Sequence, residues 1–171
     1  PAGPGPHPAV LLLPGSGQLD RDANAGKLRM DLGPQLAAAL ANAGIATLRY
    51  DRRGVGATPG DWRATGFVDN QRDAAAALRA LAERPDIQAD AIGVVGHSEG
   101  AVHAMSLGAH SNVAAVVALA GFARVGEDAL RWQARMILPA PVRKLVRGFA
   151  LRQLARIKAG TTDVARVAGR R

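Results

Sequence analysis

The stretch "IGVVGHSEGA", residues 92–101, contains the pattern that decides the fold. A short apolar run is followed by a glycine, by a serine two positions later and by a second glycine two positions after that. This order matches the G-x-S-x-G nucleophile elbow, where a strand turns sharply at a serine and a helix begins. Strand and helix approach so closely there that the residues two positions from the serine must be small. The pattern therefore predicts a Ser98 hydroxyl that is held clear of the backbone at the carboxyl end of a strand, with Gly96 and Gly100 as structural elbow residues.

Strand-length apolar runs and helical patterns alternate on both sides of this elbow. The runs lie at residues 9–13, 45–50, 91–96 and 113–121, and the helical patterns at 33–44, 67–84 and 100–110. Buried strands joined by helices indicate a parallel sheet that is covered on both faces, with right-handed crossovers. The predicted fold class is therefore α/β, a three-layer α/β/α sandwich. Residues 1–8, "PAGPGPHP", predict an irregular lead-in because proline and glycine dominate them.

Positive charge is concentrated in the last quarter of the chain. Residues 1–123 contain 10 basic and 11 acidic side chains, whereas residues 124–171 contain 12 basic and 3 acidic ones. Within the second segment, residues 140–160 combine apolar positions at helical spacing with many arginines, which predicts a basic amphipathic helix. We expect residues 1–123 to form the core and residues 124–171 to begin a helical cap. Membrane contact by the basic helix is a weaker alternative, and nucleic acid is not expected because aromatic residues are only 4% of the chain.

Several functional classes are disfavoured by composition. The chain has no cysteine, so disulfides and thiolate metal sites are excluded. No cluster of histidine, aspartate and glutamate has metal-ligand spacing, and we expect neither a metal nor a cofactor. No apolar run approaches the roughly 18 residues that a membrane span requires, and no leader pattern is present, which favours a cytoplasmic location without deciding the compartment.

An elbow serine that attacks a carbonyl needs two N–H donors for the oxyanion that forms. The N–H of Glu99 lies in the first turn of the following helix, where no intrahelical acceptor exists. In this architecture the second donor comes from the loop after an earlier strand. Here that loop is "PGSGQLDRD", residues 14–22, and the backbone of Ser16 or Gly17 is the candidate.

Three segments together resemble the α/β-hydrolase superfamily, and most closely its bacterial serine esterase and acyl-peptidase-like branch, which includes proteins similar to dienelactone hydrolase. They are "LLLPGSGQLDRDAN", "GIATLRYDRRGVGAT" and "GVVGHSEGA", and the resemblance covers about residues 8–122. It implies that Ser98 is the nucleophile and that the N–H groups of Glu99 and Ser16 are the oxyanion donors. One departure is Pro14, where the family usually has a histidine before Gly-Ser-Gly.

A nucleophilic serine also needs a histidine base, and in this fold the acid and the histidine follow the serine after later strands. The chain has four histidines, His7, His97, His103 and His110, and none follows a late strand. His97 adjoins Ser98, but its side chain should point away from the serine oxygen. His103, five residues past Ser98, is therefore the nearest candidate base. Glu127 and Asp128 follow the fourth strand, where a triad acid is sometimes found, but "GEDAL" is more typical of a helix start.

We therefore expect this chain to be the middle of a longer hydrolase, with a partial sheet and with the triad acid and histidine outside it. Alone, the chain is expected to be inactive. The predicted function of the parent protein is cleavage of a carboxylic ester or related acyl bond in a small-molecule substrate, through an acyl-enzyme on Ser98. Thioesterase or acyl-peptidase activity, or a non-catalytic binding module of the same fold, are the alternatives. The sequence leaves the oligomeric state open.

Overall fold

The computed structural model describes residues 1–123 and, in the rest of the chain, residues 128, 131–132, 135–136, 139–142, 152, 155 and 159. The chain divides into two compact units, Pro1–Gly121 and Phe122–Arg171. Most of the predicted basic helix and of the predicted cap segment lies outside the described residues; within 140–160, residues 140–142, 152 and 155 are described and are helical. Among the residues that are described, no helix is both long and apolar enough to cross a membrane.

Strands and helices alternate through the first unit in the order that the sequence predicts. They are β1 (His7–Leu13), α1 (Leu32–Asn42), β2 (Ala46–Arg49), α2 (Phe67–Ala82), β3 (Ile87–His97), α3 (Glu99–His110) and β4 (Ala115–Leu119). The four strands form one sheet in the order β2-β1-β3-β4, and every neighbouring pair is parallel. The predicted parallel α/β sheet is confirmed.

The strand register places the ends of the central strands side by side. Leu13 of β1 pairs with Gly96 of β3, and His97 of β3 pairs with Leu119 of β4. The chain passes from β1 outward to β2 and then returns to β3 on the other side of β1. The point where the direction reverses lies between β1 and β3, and in open α/β sheets ligands bind outside the carboxyl ends of the strands at such a point.

The boundaries of the first and last strands along the chain differ from the predicted ones. β1 begins at His7, inside the predicted irregular lead-in, because His7 pairs with Ile87 and its N–H donates to the Asp86 carbonyl at 2.9 Å. The register between β1 and β3 is irregular between His7 and Ala9, which accommodates Pro8 and its missing N–H. β4 ends at Leu119, before the predicted 121, because Ala120 takes a positive φ of 49°.

Helices cover both faces of the sheet. On one face the fully buried Leu11, Ile92 and Val94 belong to a core that includes Ala74, Leu78 and Leu81 of α2 and Ala104 and Leu107 of α3. Successive residues of a strand point to opposite faces, so Leu12 and Val95 point the other way. There they line a small cavity together with Leu32 and Leu36 of α1. The three-layer arrangement is thus α1, the sheet, and the pair α2 and α3.

Candidate active site

Ser98 occupies the sharp turn between β3 and α3. Its backbone has a φ of 55° and a ψ of −114°, a combination that non-glycine residues rarely adopt and that costs conformational energy. The Ser98 N–H donates to the carbonyl of Leu119 at the end of β4, at 2.9 Å. This hydrogen bond and the start of α3 at Glu99 hold the strained residue in place. The chain therefore passes from β3 to α3 through a single tight turn at Ser98.

The two elbow glycines lie where main-chain segments come into close contact. A Cβ added to Gly96 would overlap the carbonyl oxygen of Gly100 and lie 2.6 Å from the nitrogen of Ala101. A Cβ added to Gly100 would lie 2.5 Å from the carbonyl oxygen of Leu13 and 2.6 Å from that of Pro14. These neighbours are backbone atoms, which cannot move aside by a change of rotamer. Glycine at both positions is therefore a steric requirement of the turn.

The loop that follows β1 lies against the elbow. Gly15 is buried, and a Cβ built on it would lie 3.4 Å from the Cβ of Ser98 and 3.1 Å from Nδ1 of His97. Ser16 is exposed beside it. The loop lies beside the elbow because Leu13, the last residue of β1, pairs with Gly96 of β3. β3 ends one residue later, at His97, so the loop after β1 and the turn at Ser98 begin side by side. The structure thus brings together Ser98, the first turn of α3 and the segment that contains Ser16.

The ring nitrogens of His103 face side chains other than that of Ser98. Nδ1 of His103 lies 2.6 Å from Oε1 of Gln71, and its Nε2 lies 3.5 Å from Oε1 of Glu99. Its buried ring stacks against Phe67 with a centroid distance of 4.4 Å. His103, the candidate base from the sequence, therefore contacts Gln71, Glu99 and Phe67 instead of the Ser98 hydroxyl.

The remaining histidines also have other surroundings. Nδ1 of His110 lies 2.8 Å from the Ser106 carbonyl, and Nδ1 of His97 is buried facing Gly15. His7 begins β1 at the opposite edge of the sheet. In residues 1–123, none of the four imidazoles hydrogen-bonds to Ser98. Of the two acids considered after β4, Asp128 is an exposed helical residue of the second unit and Glu127 lies outside the described residues.

A partly buried ion pair involves Glu99, the residue that follows Ser98. Nη1 of Arg52 donates to Oε1 of Glu99 at 3.0 Å, and Nδ2 of Asn70 donates to the same oxygen at 3.2 Å. The contact with His103, the charge of Arg52 and the amide of Asn70 hold the pKa of the Glu99 carboxyl below its ordinary value, although partial burial raises it. The sequence predicts Glu99 as a backbone donor only. The role of its side chain was missed, because nothing in the local pattern pairs it with Arg52, 47 residues away.

Asp51 connects the loop after β2 to the loop after β1. Its Oδ1 accepts from the Arg21 N–H at 2.8 Å, and its Oδ2 accepts from Nη2 of Arg21 at 2.6 Å and from the Ala57 N–H at 3.0 Å. These bonds, with that to the Arg21 side chain first, lower the pKa of Asp51 to about 2, although burial opposes them. A similar connection is made by the ion pair of Arg49 with Asp22. These charged residues therefore join the loop after β1 to β2 and to the loop that follows it.

We expect Asp51→Asn to lower the free energy of unfolding by about 1–2 kcal/mol at neutral pH. This is less than the full pKa shift implies, because water screens the Arg21 side chain, which is 44% exposed. The pKa of Asp51 is lowered by folding, so its contribution is complete above the ordinary value near 3.8 and is lost as the pH falls through about 2. Urea denaturation of both proteins between about pH 7 and pH 3 measures this: the deficit should shrink only below about pH 4.

The exposed Asp90 provides a matched control for this prediction. Asp90→Asn is expected to change the free energy of unfolding by less than about 0.5 kcal/mol over the same range. An Asp51→Asn deficit that stays constant down to about pH 3 would show that the carboxylate charge is not what stabilises the two loops.

Among the residues that the structure describes, no group of three or more histidine, cysteine, aspartate or glutamate side chains is arranged to hold a metal ion. The chemistry available at the carboxyl edge of the sheet is that of a hydroxyl, of backbone N–H groups and of the supporting ion pair.

The sequence is similar to one protein family and to one curated esterase. Residues 31–168 match the model of the family described as serine aminopeptidase, S33. Esterase EstD from Thermotoga maritima is 32% identical over 137 residues, which cover 80% of this chain and 32% of the esterase. The chain therefore spans about a third of the length of this curated relative.

Solved structures share the fold. The α/β hydrolase GrgF from Penicillium sp. sh18 has a TM-score of 0.60 at 23% identity, over 92% of this chain and 49% of that one. The 2,6-dihydroxy-pseudo-oxynicotine hydrolase has a TM-score of 0.55 at 27% identity, over 76% of this chain and 34% of that one.

Proposed function

Because the chain belongs to the serine aminopeptidase S33 family of α/β-hydrolases, we propose that the protein of which it is part cleaves a carboxylic ester or a related acyl bond by nucleophilic attack of Ser98. The observation that carries the proposal is the strained backbone of Ser98 at the switch point of the sheet, between two glycines that no larger residue can replace. The similarity to Esterase EstD supports an ester as the substrate class.

In the proposed reaction the Ser98 oxygen attacks the acyl carbonyl while a base takes its proton. The carbonyl oxygen becomes negatively charged and accepts hydrogen bonds from the N–H groups of Glu99 and Ser16. Collapse of the tetrahedral intermediate expels the alcohol and leaves an acyl-enzyme, which water hydrolyses with the same base. No cofactor takes part in these steps.

We assign the base and its acid partner to residues of the full-length protein outside this chain. Two observations support this assignment: each of the four histidines has other surroundings in the described structure, and the chain spans about a third of its esterase relative. Without the base, Ser98 keeps its position and the two N–H groups but has no group to accept its proton, and most of the activity should be lost.

Covalent labelling by a fluorophosphonate, read as intact mass, tests this proposal. We expect the full-length protein to gain one adduct on Ser98 and the 171-residue chain to gain none under the same conditions. Ser98-dependent labelling of the shorter chain would place a base within it and would overturn our assignment of the base. If neither form is labelled, a non-catalytic binding module becomes the better description.

The leaving group distinguishes the activities within the enzyme class. The family description suggests aminoacyl amides as substrates, and the similarity to Esterase EstD suggests esters. The hydrolysis rates of an aminoacyl amide, a short-chain ester and an acyl thioester are therefore measured in parallel. We expect the highest kcat/KM on the short-chain ester. A higher value on the aminoacyl amide would instead identify a peptidase.

A further inference from the structure

Arg52 lies between the two segments that supply the proposed oxyanion donors. It is only 8% exposed, and its guanidinium makes one hydrogen bond to each segment. Nη1 donates to the side chain of Glu99, and Nη2 donates to the carbonyl oxygen of Gly17. We propose that Arg52 is a positioning residue that sets the distance between the Glu99 N–H and the Ser16 N–H. This inference rests on the proposed function.

The first contact fixes the start of α3. Glu99 follows the serine directly, so its backbone N–H and its side chain leave the same Cα. Three side chains converge on its Oε1, those of Arg52, Asn70 and His103, at 3.0, 3.2 and 3.5 Å. The two hydrogen bonds from Arg52 and Asn70 restrict rotation of the carboxylate. The position of the Glu99 N–H is thus coupled to that of Arg52.

The second contact fixes the loop after β1. Ser16 is exposed, and a Cβ built on Gly17 would meet no atom within 4 Å, so packing constrains this part of the loop little. Gly17 also has a positive φ of 81°. Within residues 1–123, Nη2 of Arg52 donates a hydrogen bond to its carbonyl oxygen. The guanidinium therefore anchors the Gly17–Gln18 peptide, two peptide units after the one that carries the Ser16 N–H.

The geometry explains why an arginine stands here. A guanidinium is planar and rigid and presents its N–H groups in a fixed fork, so it can hold two acceptors at a defined separation. A lysine ammonium has one nitrogen on a flexible stem and does not reproduce that separation. Oxyanion donors act only when they are placed within a few tenths of an ångström, and a displacement of about 1 Å lowers the rate about 100-fold.

Kinetics of Arg52→Lys in the full-length protein test the proposal. We expect kcat to fall about 10- to 100-fold while KM changes less than about threefold, because donors that act in the transition state are misplaced and substrate binding is not. The affinity for a trifluoromethyl ketone, which forms a tetrahedral adduct with the serine, should fall in parallel with kcat.

Arg53→Lys is the matched control, because Arg53 lies in the same loop but pairs with Asp73 at 2.6 Å and is half-exposed. It should leave kcat within about twofold of the parent. For Arg52→Ala, added guanidinium ion should recover part of the lost kcat, which a simple loss of folding would not allow. Circular dichroism and thermal denaturation establish that each variant is folded at the assay temperature.

The outcomes separate the two proposals. If the parent protein shows Ser98-dependent hydrolysis and folded Arg52→Lys keeps its kcat, the positioning role is wrong and the proposed function stands. A rise in KM with unchanged kcat would also contradict the positioning role, because it would indicate uniform substrate binding. If the parent protein shows no Ser98-dependent hydrolysis, the proposed function fails and the role of Arg52 fails with it.

Discussion

Replacing Ser98 with alanine is expected to lower the kcat of the full-length protein by about 10⁶-fold, with fluorophosphonate labelling abolished. The nucleophile and its base act as one unit, so loss of the hydroxyl removes covalent catalysis altogether. The variant should still hydrolyse the substrate about 10³-fold faster than the uncatalysed reaction in water, because binding and the oxyanion donors remain. Hydrolysis of a short-chain ester and intact-mass analysis measure both effects.

The same substitution should leave the fold intact. The hydroxyl of Ser98 caps no backbone N–H of α3, and the strain at this position lies in the backbone, which alanine shares. We expect the melting temperature of Ser98→Ala to stay close to that of the parent.

Two other serines serve as matched controls for Ser98→Ala. Ser16→Ala keeps the backbone N–H that we assign to the oxyanion, so kcat should change less than about threefold. Ser106→Ala lies on α3, away from the turn, and should be neutral. Should Ser98→Ala keep a substantial fraction of the parent kcat, the nucleophile assignment would be wrong whatever the controls show.

Replacing Gly96 with alanine is expected to give the largest loss of stability, about 3 kcal/mol or more. The added methyl group would overlap the Gly100 carbonyl and crowd the Ala101 nitrogen, so the first turn of α3 must move away from β3. The corresponding decrease in melting temperature is roughly 10 °C for a chain of this size. Chemical and thermal denaturation of the parent and the variant provide the comparison.

Gly93→Ala on the same strand is the matched control for Gly96→Ala. A Cβ on Gly93 would lie 3.5 Å from the nearest atom, the carbonyl oxygen of Ala115, which is an ordinary contact. We expect this variant to stay within about 1 kcal/mol of the parent. Equal losses for the two substitutions would mean that any methyl group in β3 is costly and that the close approach at the elbow is not the cause.

The fold and the identity of the elbow follow from the sequence because both depend on local rules. Apolar strands alternating with amphipathic helices specify a parallel sheet, and the spacing of Gly96, Ser98 and Gly100 specifies the turn. The predicted start of β1 at residue 9 was wrong. Pro8 is unfavourable in a strand, but the structure extends β1 to His7, which pairs with Ile87 across an irregular register. Pairing partners 80 residues apart are not visible in a local pattern.

The contacts that support the site were decided by the tertiary structure. The sequence places Arg52 and Glu99 in separate motifs, and no periodicity connects them. They meet because the carboxyl ends of β1, β2 and β3 lie at one edge of the sheet, which brings the loop after each strand to the same place. The same packing turns the nitrogens of His103 toward Gln71 and Glu99, although its position in the sequence is the nearest to Ser98 among the helical histidines.

The sequence by itself therefore determined the elements and the turn, since these depend on neighbours along the chain. The direction of the charged side chains depends on neighbours in space, and only the assembled sheet supplies those.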